Sequence, residues 1–347
     1  MATTQKHRMI AANSVLGEDV LLVGRMTATE QLGQLFEFEL ELFSERTDIV
    51  LTDVLGTNMT VRLELPYQRG TRYFNGIVTR LGYEGTRGLR YGVYHAVMSP
   101  WLWFLTRTSD CRIFQNKTVP DIIKDVFREQ GFTDFKDALS GSYREWEYCV
   151  QYRETDFNFV SRLMQQEGIY YYFTHENGKH TLVLADGYGS HGTFPGYERV
   201  PYFPPDVHDH RERDHVSEWI VFKQVQPGAY ALNDYDFKAP RKNLRTVLNQ
   251  PRNHALADFE MYDYPGEYVE PGDGNNYSRI RLQELLAQHE IAQGRGNAAG
   301  LAVGCLFSLS ECPREDQNRE YLIVSAVHRL ESDEYESFAE AGISGKP

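Results

Sequence analysis

Residues 35–42 alternate strictly, with Phe36, Phe38, Leu40 and Leu42 set against Glu37, Glu39 and Glu41. Successive strand residues point to opposite faces, so this pattern describes a strand with one buried and one wet side. Residues 61–65 alternate again until Pro66 ends the run, and strand-like runs cover 20–23, 73–81 and 89–98. The stretch 84–88 between the last two reads as a hairpin loop. About five strands in succession, with turn signals between them, predict a barrel or sandwich over the first hundred residues. The 22 Tyr and 19 Phe of the 347-residue chain strengthen that bias, because aromatic rings fit a pleated, half-buried surface.

Residues 101–205 change character. Thr118, Pro120 and Asp121 carry the marks of a capped helix start, and Ile122, Ile123, Val126 and Phe127 follow at helical spacing up to Gly131. Thr155 caps a second expected helix, with Phe159, Val160, Leu163 and Met164 on one face and Gly168 closing it. Strand runs 169–173 and 181–184 are joined through Asn177-Gly178, a strong hairpin signal. Prolines 195, 201, 204 and 205 then lead into a charged tract read as a linker. Strands return at 219–225, 229–237, 300–310 and 321–330. One helix is expected from near Ser278 to near Gly294, and 262–268 reads as a turn-rich loop. The division expected is a first β-barrel at 1–100, an α+β insert at 101–205, and a second β-barrel with one helix and an acidic end at 206–347. Residues 341–347 carry no core signal, as though the chain were cut there.

Composition narrows the function classes. The chain has 36 basic and 49 acidic residues, a net charge of −13, which argues against a general nucleic-acid binder. Residues 206–347 hold 15 basic and 24 acidic residues, net −9, including Glu331, Asp333, Glu334, Glu336 and Glu340. This acidic run reads as a solvated face. Mean hydropathy is −0.51 and no run of 18 apolar residues exists, so an integral membrane protein is not expected. Residues 1–8 lack the apolar core of a signal peptide, which points to synthesis and folding in a cytoplasm. Cys111, Cys149, Cys305 and Cys312 form no C-x-x-C pair and read as reduced thiols.

The chemistry motifs are weak. Gly187, Gly189 and Gly192 match a dinucleotide fingerprint, but Pro195 and Gly196 block the helix that such a site needs. Ser190 fails as a nucleophile elbow because Tyr188 stands where glycine is required. The tract 206–215 places Asp206, Asp209 and Asp214 among His208, His210 and His215 and is the best candidate for a hydrolytic metal site. Arg211 and Arg213 within it oppose a cation. Tyr170, Tyr171, Tyr172 and Phe173 could stack on sugar, but their spacing suits a strand buried on both faces. No catalytic, cofactor or metal residue is assigned, no cofactor is expected, and the chain is not expected to be an enzyme. A β-rich α+β scaffold without a site favours an assembly role.

Several stretches are specific enough to name a family. Tyr143, Trp146, Tyr148, Cys149, Tyr152 and Arg153 lead through Thr155, Asp156 and Phe157 into Phe159–Tyr171. Together with 107–115, 264–268 and 316–322, this resembles VgrG, the spike protein of type VI secretion systems, in order from about residue 10 to 330. The resemblance implies a contractile-phage tail-hub-like fold of two similar β-barrels with an α+β insert. It also implies a homotrimer whose pseudo-sixfold ring sits on the hexameric Hcp tube within the baseplate. An OB-fold and a needle tipped by a PAAR protein would follow, and effectors would travel through that missing part. The implied role is mechanical: the hub couples the thrust of the tube to the needle, with secretion by the type VI system to the exterior or a target cell. Charge reversal at Glu331, Asp333 and Glu334 tests whether the acidic end meets a positive partner. The alternatives are a phage tail or tailocin baseplate hub, a metal-dependent hydrolase on 206–215, and a sugar-binding β module.

Overall fold

The computed structural model describes residues 4–88, 90–204 and 213–332. Six strands open it: β1 (Ile10–Asn13), β2 (Leu22–Gln31), β3 (Glu37–Ser44), β4 (Asn58–Glu64), β5 (Thr71–Arg87) and β6 (Tyr91–Ser99). They pair in the order β1-β4-β5-β6-β3-β2, and a strand from the far end of the described chain, Ser325–Glu331, adds beside β2 to make seven. The alternation of β3 is realised directly: Phe38, Leu40 and Leu42 are buried while Glu37 and Glu39 face water. Burying each such side chain is worth about 1.5–3 kcal/mol. Phe38 is flanked by Ala28 on β2 and Met98 on β6, and its ring stacks on Phe36 with centroids 4.3 Å apart.

The sheet curls. β5 carries bulges at Val78/Arg80 and Tyr83/Gly85, and extra residues of this kind bend a strand and increase its twist. The expected 84–88 loop is therefore mostly strand, since Gly85, Thr86 and Arg87 still pair with Val93, Gly92 and Tyr91. The curl brings β1 round toward β2. There the buried Gln5 side chain donates from Nε2 to the carbonyls of Ala12 and Leu21 and accepts from the Ala12 amide at 3.0 Å. One side-chain amide thus stitches the two strands where no ladder joins them.

The insert follows its local signals. α1 (Val119–Glu129) starts at Thr118, whose Oγ1 accepts the Asp121 amide, and α2 (Asp156–Glu167) starts at Thr155, whose Oγ1 accepts the Asn158 amide at 3.1 Å. Gly168 closes α2 at φ 71°, a left-handed backbone that glycine adopts without a Cβ clash. Ile122, Ile123, Val126, Phe127, Phe159, Val160, Leu163 and Met164 all lie in one core with the first sheet. The hairpin Tyr170–Glu176/Lys179–Ala185 turns at Asn177-Gly178, and Phe135–Asp137 adds parallel to its second strand. The strand pair Ser109–Phe114/Cys149–Thr155 completes the insert.

The last third distributes its strands over smaller sheets: Val216–Lys223 with Glu290–Gly296, Ala229–Leu232 between Thr246–Asn249 and Glu260–Asp263, and Cys305–Ser310 with three short partners. The helix here, α3, spans Pro271–Ala287 and not 278–294. Pro271 supplies a preset first turn. Gly272 and Gly274 disguise that turn in the sequence, but Gly274 is needed, because the buried Tyr268 ring lies where its Cβ would go. Glu290–Gly296, taken as the end of the helix in the sequence, is strand. The described fold is β-rich α+β, and its main core runs from Ile10 to Leu309.

Candidate assembly surface and the polar tie beneath it

Alternation along three strands points charged groups inward. Glu30 follows Met26 and Ala28 on the buried face of β2, and Arg72 precedes Phe74 on that of β5. Inside, Arg72 Nη2 donates to Glu30 Oε2 at 3.1 Å, with both side chains about 5 % exposed. Arg72 Nη1 donates to the carbonyls of Ala299 and Leu301 and meets His328 Nε2 at 3.0 Å. His175 Nε2 lies 3.3 Å from Glu30 Oε1, and its Nδ1 meets the Asn75 backbone. His180 Nδ1 meets Asn75 Oδ1 at 2.8 Å, while its Nε2 accepts the Trp101 amide at 2.9 Å. Asn75 donates to Asn58 Oδ1 and Thr60 Oγ1. This network binds the first sheet, the insert hairpin, the 299–301 loop and the last strand together.

Burial alone would raise the Glu30 carboxyl, but the His175 contact and the charges of His175, Arg72 and His328 outweigh it and hold it at about 2. Burial, reinforced by His175, pushes His180 down to about 3. Burial, reinforced by Arg72, pushes His328 down to about 3. Both histidines are therefore neutral when folded. Unfolded imidazoles take protons below about pH 6.5, so the unfolded state gains protons first as pH falls. Stability is present above pH 6.5 and is lost progressively down to about 3, and Glu30 adds a further loss below about 4.5. Between pH 7 and pH 5 each histidine removes about 2 kcal/mol. Urea unfolding is expected to show a combined loss of about 2–4 kcal/mol over that interval, and a flat profile would contradict the assignment.

The last third exposes two groups of large apolar side chains. On the ribbon Val216–Lys223/Glu290–Gly296, Phe222 stands opposite Ile291 and Ile220 opposite Gln293, so the three apolar residues share a face. Ile220 and Phe222 are each 51 % exposed. At the ribbon base the Gln224 amide donates to the His289 carbonyl, and His289 stacks on His254 with centroids 5.3 Å apart. Leu256, Phe259, Met261, Tyr262 and Tyr264 form a second group of exposed apolar residues, those of the strand Glu260–Asp263 lying on both of its faces. Aromatic residues and Met are enriched in the cores of protein interfaces, and both groups are rich in them.

The residues singled out in the sequence are placed as follows. Of the 206–215 tract, only 213–215 lie within the described residues. The Asp214 carboxylate is buried and taken by the Tyr197 hydroxyl and Arg69, while His215 is half-buried with Nδ1 against the Arg213 carbonyl. Asp214 and His215 do not converge. Gly187–Gly192 contains one turn of 3-10 helix and no α-helix. Tyr171, Tyr172 and Phe173 are buried, as expected of a strand covered on both faces. Glu331 pairs with Arg25 at 3.0 Å, and Asp333, Glu334, Glu336 and Glu340 lie outside the described residues. All four cysteines are free thiols, Cys149 buried and Cys111 exposed. Among the described residues no three His, Cys, Asp or Glu side chains gather as a metal would require, and no helix is long and apolar enough to cross a membrane. The polar tie was missed in the sequence. Its signal was a charged or imidazole side chain at an inward position, as in Met26-x-Ala28-x-Glu30.

Residues 29–334 match the model of the phage tail baseplate hub (GPD) family. The chain belongs to this hub family. It is 52% identical over 97% of its length to the type VI secretion system spike protein VgrG1b of Pseudomonas aeruginosa, and spans 45% of that protein. The chain thus covers about half the length of the curated relatives it matches. Among solved structures, the hub fold is shared with an E. coli component of the type VI secretion system described as structurally similar to T4 bacteriophage tail proteins gp27 and gp5. That match has a TM-score of 0.63 and 21% identity, and covers 90% of this chain and 71% of the other. It is shared equally with the 43 kDa tail protein of prophage MuSo2 from Shewanella oneidensis, with a TM-score of 0.64 and 13% identity, covering 93% and 95% of the two chains. The tail-hub fold expected from the sequence is the fold observed.

Proposed function

We propose that this chain is the structural hub of a type VI secretion spike. Three copies form a ring that joins the hexameric Hcp tube to the needle, and the chain is not an enzyme. The 52% identity to a spike protein across nearly the whole chain carries the reading. The apolar surface around Phe222 and Phe259 supports it, because a ring that closes after three copies needs broad head-to-tail contacts and no pocket. In this reading 1–100 and 206–347 supply the two ring modules, the second lending its last strand to the first, and 101–205 is the insert. Baseplate components surround the ring, and a PAAR tip protein and effectors engage the remainder of the longer protein. The hub is made in the cytoplasm and leaves through the secretion system. A phage tail or tailocin hub shares the fold, and the identity to spike proteins favours the spike.

Light scattering at two concentrations tests the ring. The expected mass is three times the 40.1 kDa chain, with co-sedimentation on assembled Hcp tubes. A monomer both for this chain and for a longer chain carrying the needle region would overturn the reading.

A further inference from the structure

The dipeptide Asn-Gly occurs twice in the chain, at Asn75-Gly76 and Asn177-Gly178. In this pair a backbone nitrogen most readily attacks a side-chain amide, because glycine places no side chain in the way. The fold treats the two copies differently. Asn75-Gly76 lies inside β5, paired with Thr60 and Met59 of β4. The Asn75 side chain is fully buried, and its carboxamide donates to Asn58 Oδ1, Thr60 Oγ1 and the Met59 carbonyl. Held by these partners, it is not free to turn toward the Gly76 nitrogen.

Asn177-Gly178 is exposed at the hairpin turn, with Gly178 at φ 79°. The Asn177 carboxamide has no hydrogen-bond partner among the described residues. The restraint lies on the other reacting group. The Gly178 amide donates to Thr60 Oγ1 at 3.0 Å, a contact from the first sheet to the turn of the insert. Thr60 is buried, and its Oγ1 also accepts from Asn75 at 2.7 Å, so both of its lone pairs are used. An amide that donates a hydrogen bond must give it up before its nitrogen can lose the proton and attack.

We propose that Asn177 is a latent deamidation site whose rate is set by the Thr60 hydroxyl. The Gly178 nitrogen loses its proton to water and bonds to Asn177 Cγ. The bond from Cγ to the side-chain nitrogen breaks, and that nitrogen leaves with a proton as ammonia. Water then opens the succinimide ring at either carbonyl, leaving aspartate or isoaspartate, and nothing is oxidised or reduced. Isoaspartate carries the backbone through the side-chain carbon and lengthens the turn, and hairpin register follows from loop length. The strands that meet at this turn carry His175 and His180, which stand opposite each other and belong to the polar tie. Modification at the exposed turn would therefore loosen the tie from outside. The proposal does not depend on the hub reading.

The test is peptide mapping by mass spectrometry of the full chain during incubation in mildly alkaline buffer. Conversion is expected at Asn177 and not at Asn75. Thr60→Val keeps the shape of the side chain without the hydroxyl and is expected to speed conversion at Asn177 about fivefold, while Thr60→Ser keeps the parent rate. An unchanged rate in Thr60→Val, or equal rates in the two variants, would overturn the proposal. Asn75 reports on folding in the same experiment, since it converts only where β5 has opened. Where it converts in Thr60→Val, hydrogen exchange of the parent decides without any variant. The Gly178 amide is expected to be protected relative to the same amide in the free peptide 174–181, and equal exchange would overturn the proposal.

Discussion

Replacing Glu30 by alanine is expected to cost about 3–5 kcal/mol of stability at pH 7, read as a drop in the urea midpoint. The Arg72 guanidinium is almost fully buried, and burial already disfavours its charge. Its remaining partners would be two backbone carbonyls and His328, none of which carries a compensating negative charge. The cost arises from stranding a charge and not from losing the attraction of the pair. The double variant Glu30→Met, Arg72→Met removes both charges, so it is expected to lose much less than Glu30→Ala alone. A single variant within about 1 kcal/mol of the parent would show that water reaches Arg72 and that the tie is not closed.

The second large effect concerns assembly. Phe222→Asp and Phe259→Asp each place a carboxylate on exposed apolar surface, so the isolated chain is expected to keep its thermal midpoint. In the proposed trimer the same carboxylate would be buried against a neighbouring copy. A buried aromatic anchor is worth about 2 kcal/mol or more per contact, close to a thirtyfold change in affinity. Each variant is therefore expected to move the mass measured by light scattering from trimer toward monomer at concentrations where the parent is assembled. Trimers that persist in both variants would place the copy–copy contact elsewhere.

How much of this was written locally can be judged residue by residue. Thr118 and Thr155 cap their helices because a hydroxyl three residues before an orphan amide suffices, whatever lies beyond. Asn177-Gly178 turns its hairpin for the same reason, since the positive φ the turn requires, 79° at Gly178, falls on the glycine itself. The strand character of β3 was legible because its period is its own. The ladder partners were not. Ser325–Glu331 pairs with β2 across nearly the whole chain, and no short-range pattern carries that choice. α3 began seven residues before its expected start because glycines hid a helix turn whose need comes from Tyr268, outside the helix. The polar tie escaped because Glu30, Arg72, His175, His180 and His328 sit on four separate chain segments. Each one alone is an ordinary polar residue in a strand. The apolar assembly surface was hidden for the opposite reason, since an exposed Phe and a buried Phe read identically until the fold decides which face is outside.

The pairing of β2 with Ser325–Glu331 sets a timetable for the protein's birth. Arg25 leaves the ribosome about 300 positions before Glu331, its partner. At about 5–20 residues per second the gap lasts about 15–60 s. Throughout that interval the nascent sheet can complete six of its strands while β2 waits with a bare edge. The last strand is thus a latch that closes only when synthesis of this region is nearly done. A message truncated before codon 325 would release a chain with β2 permanently open to its neighbours, while one reaching codon 332 would close the sheet.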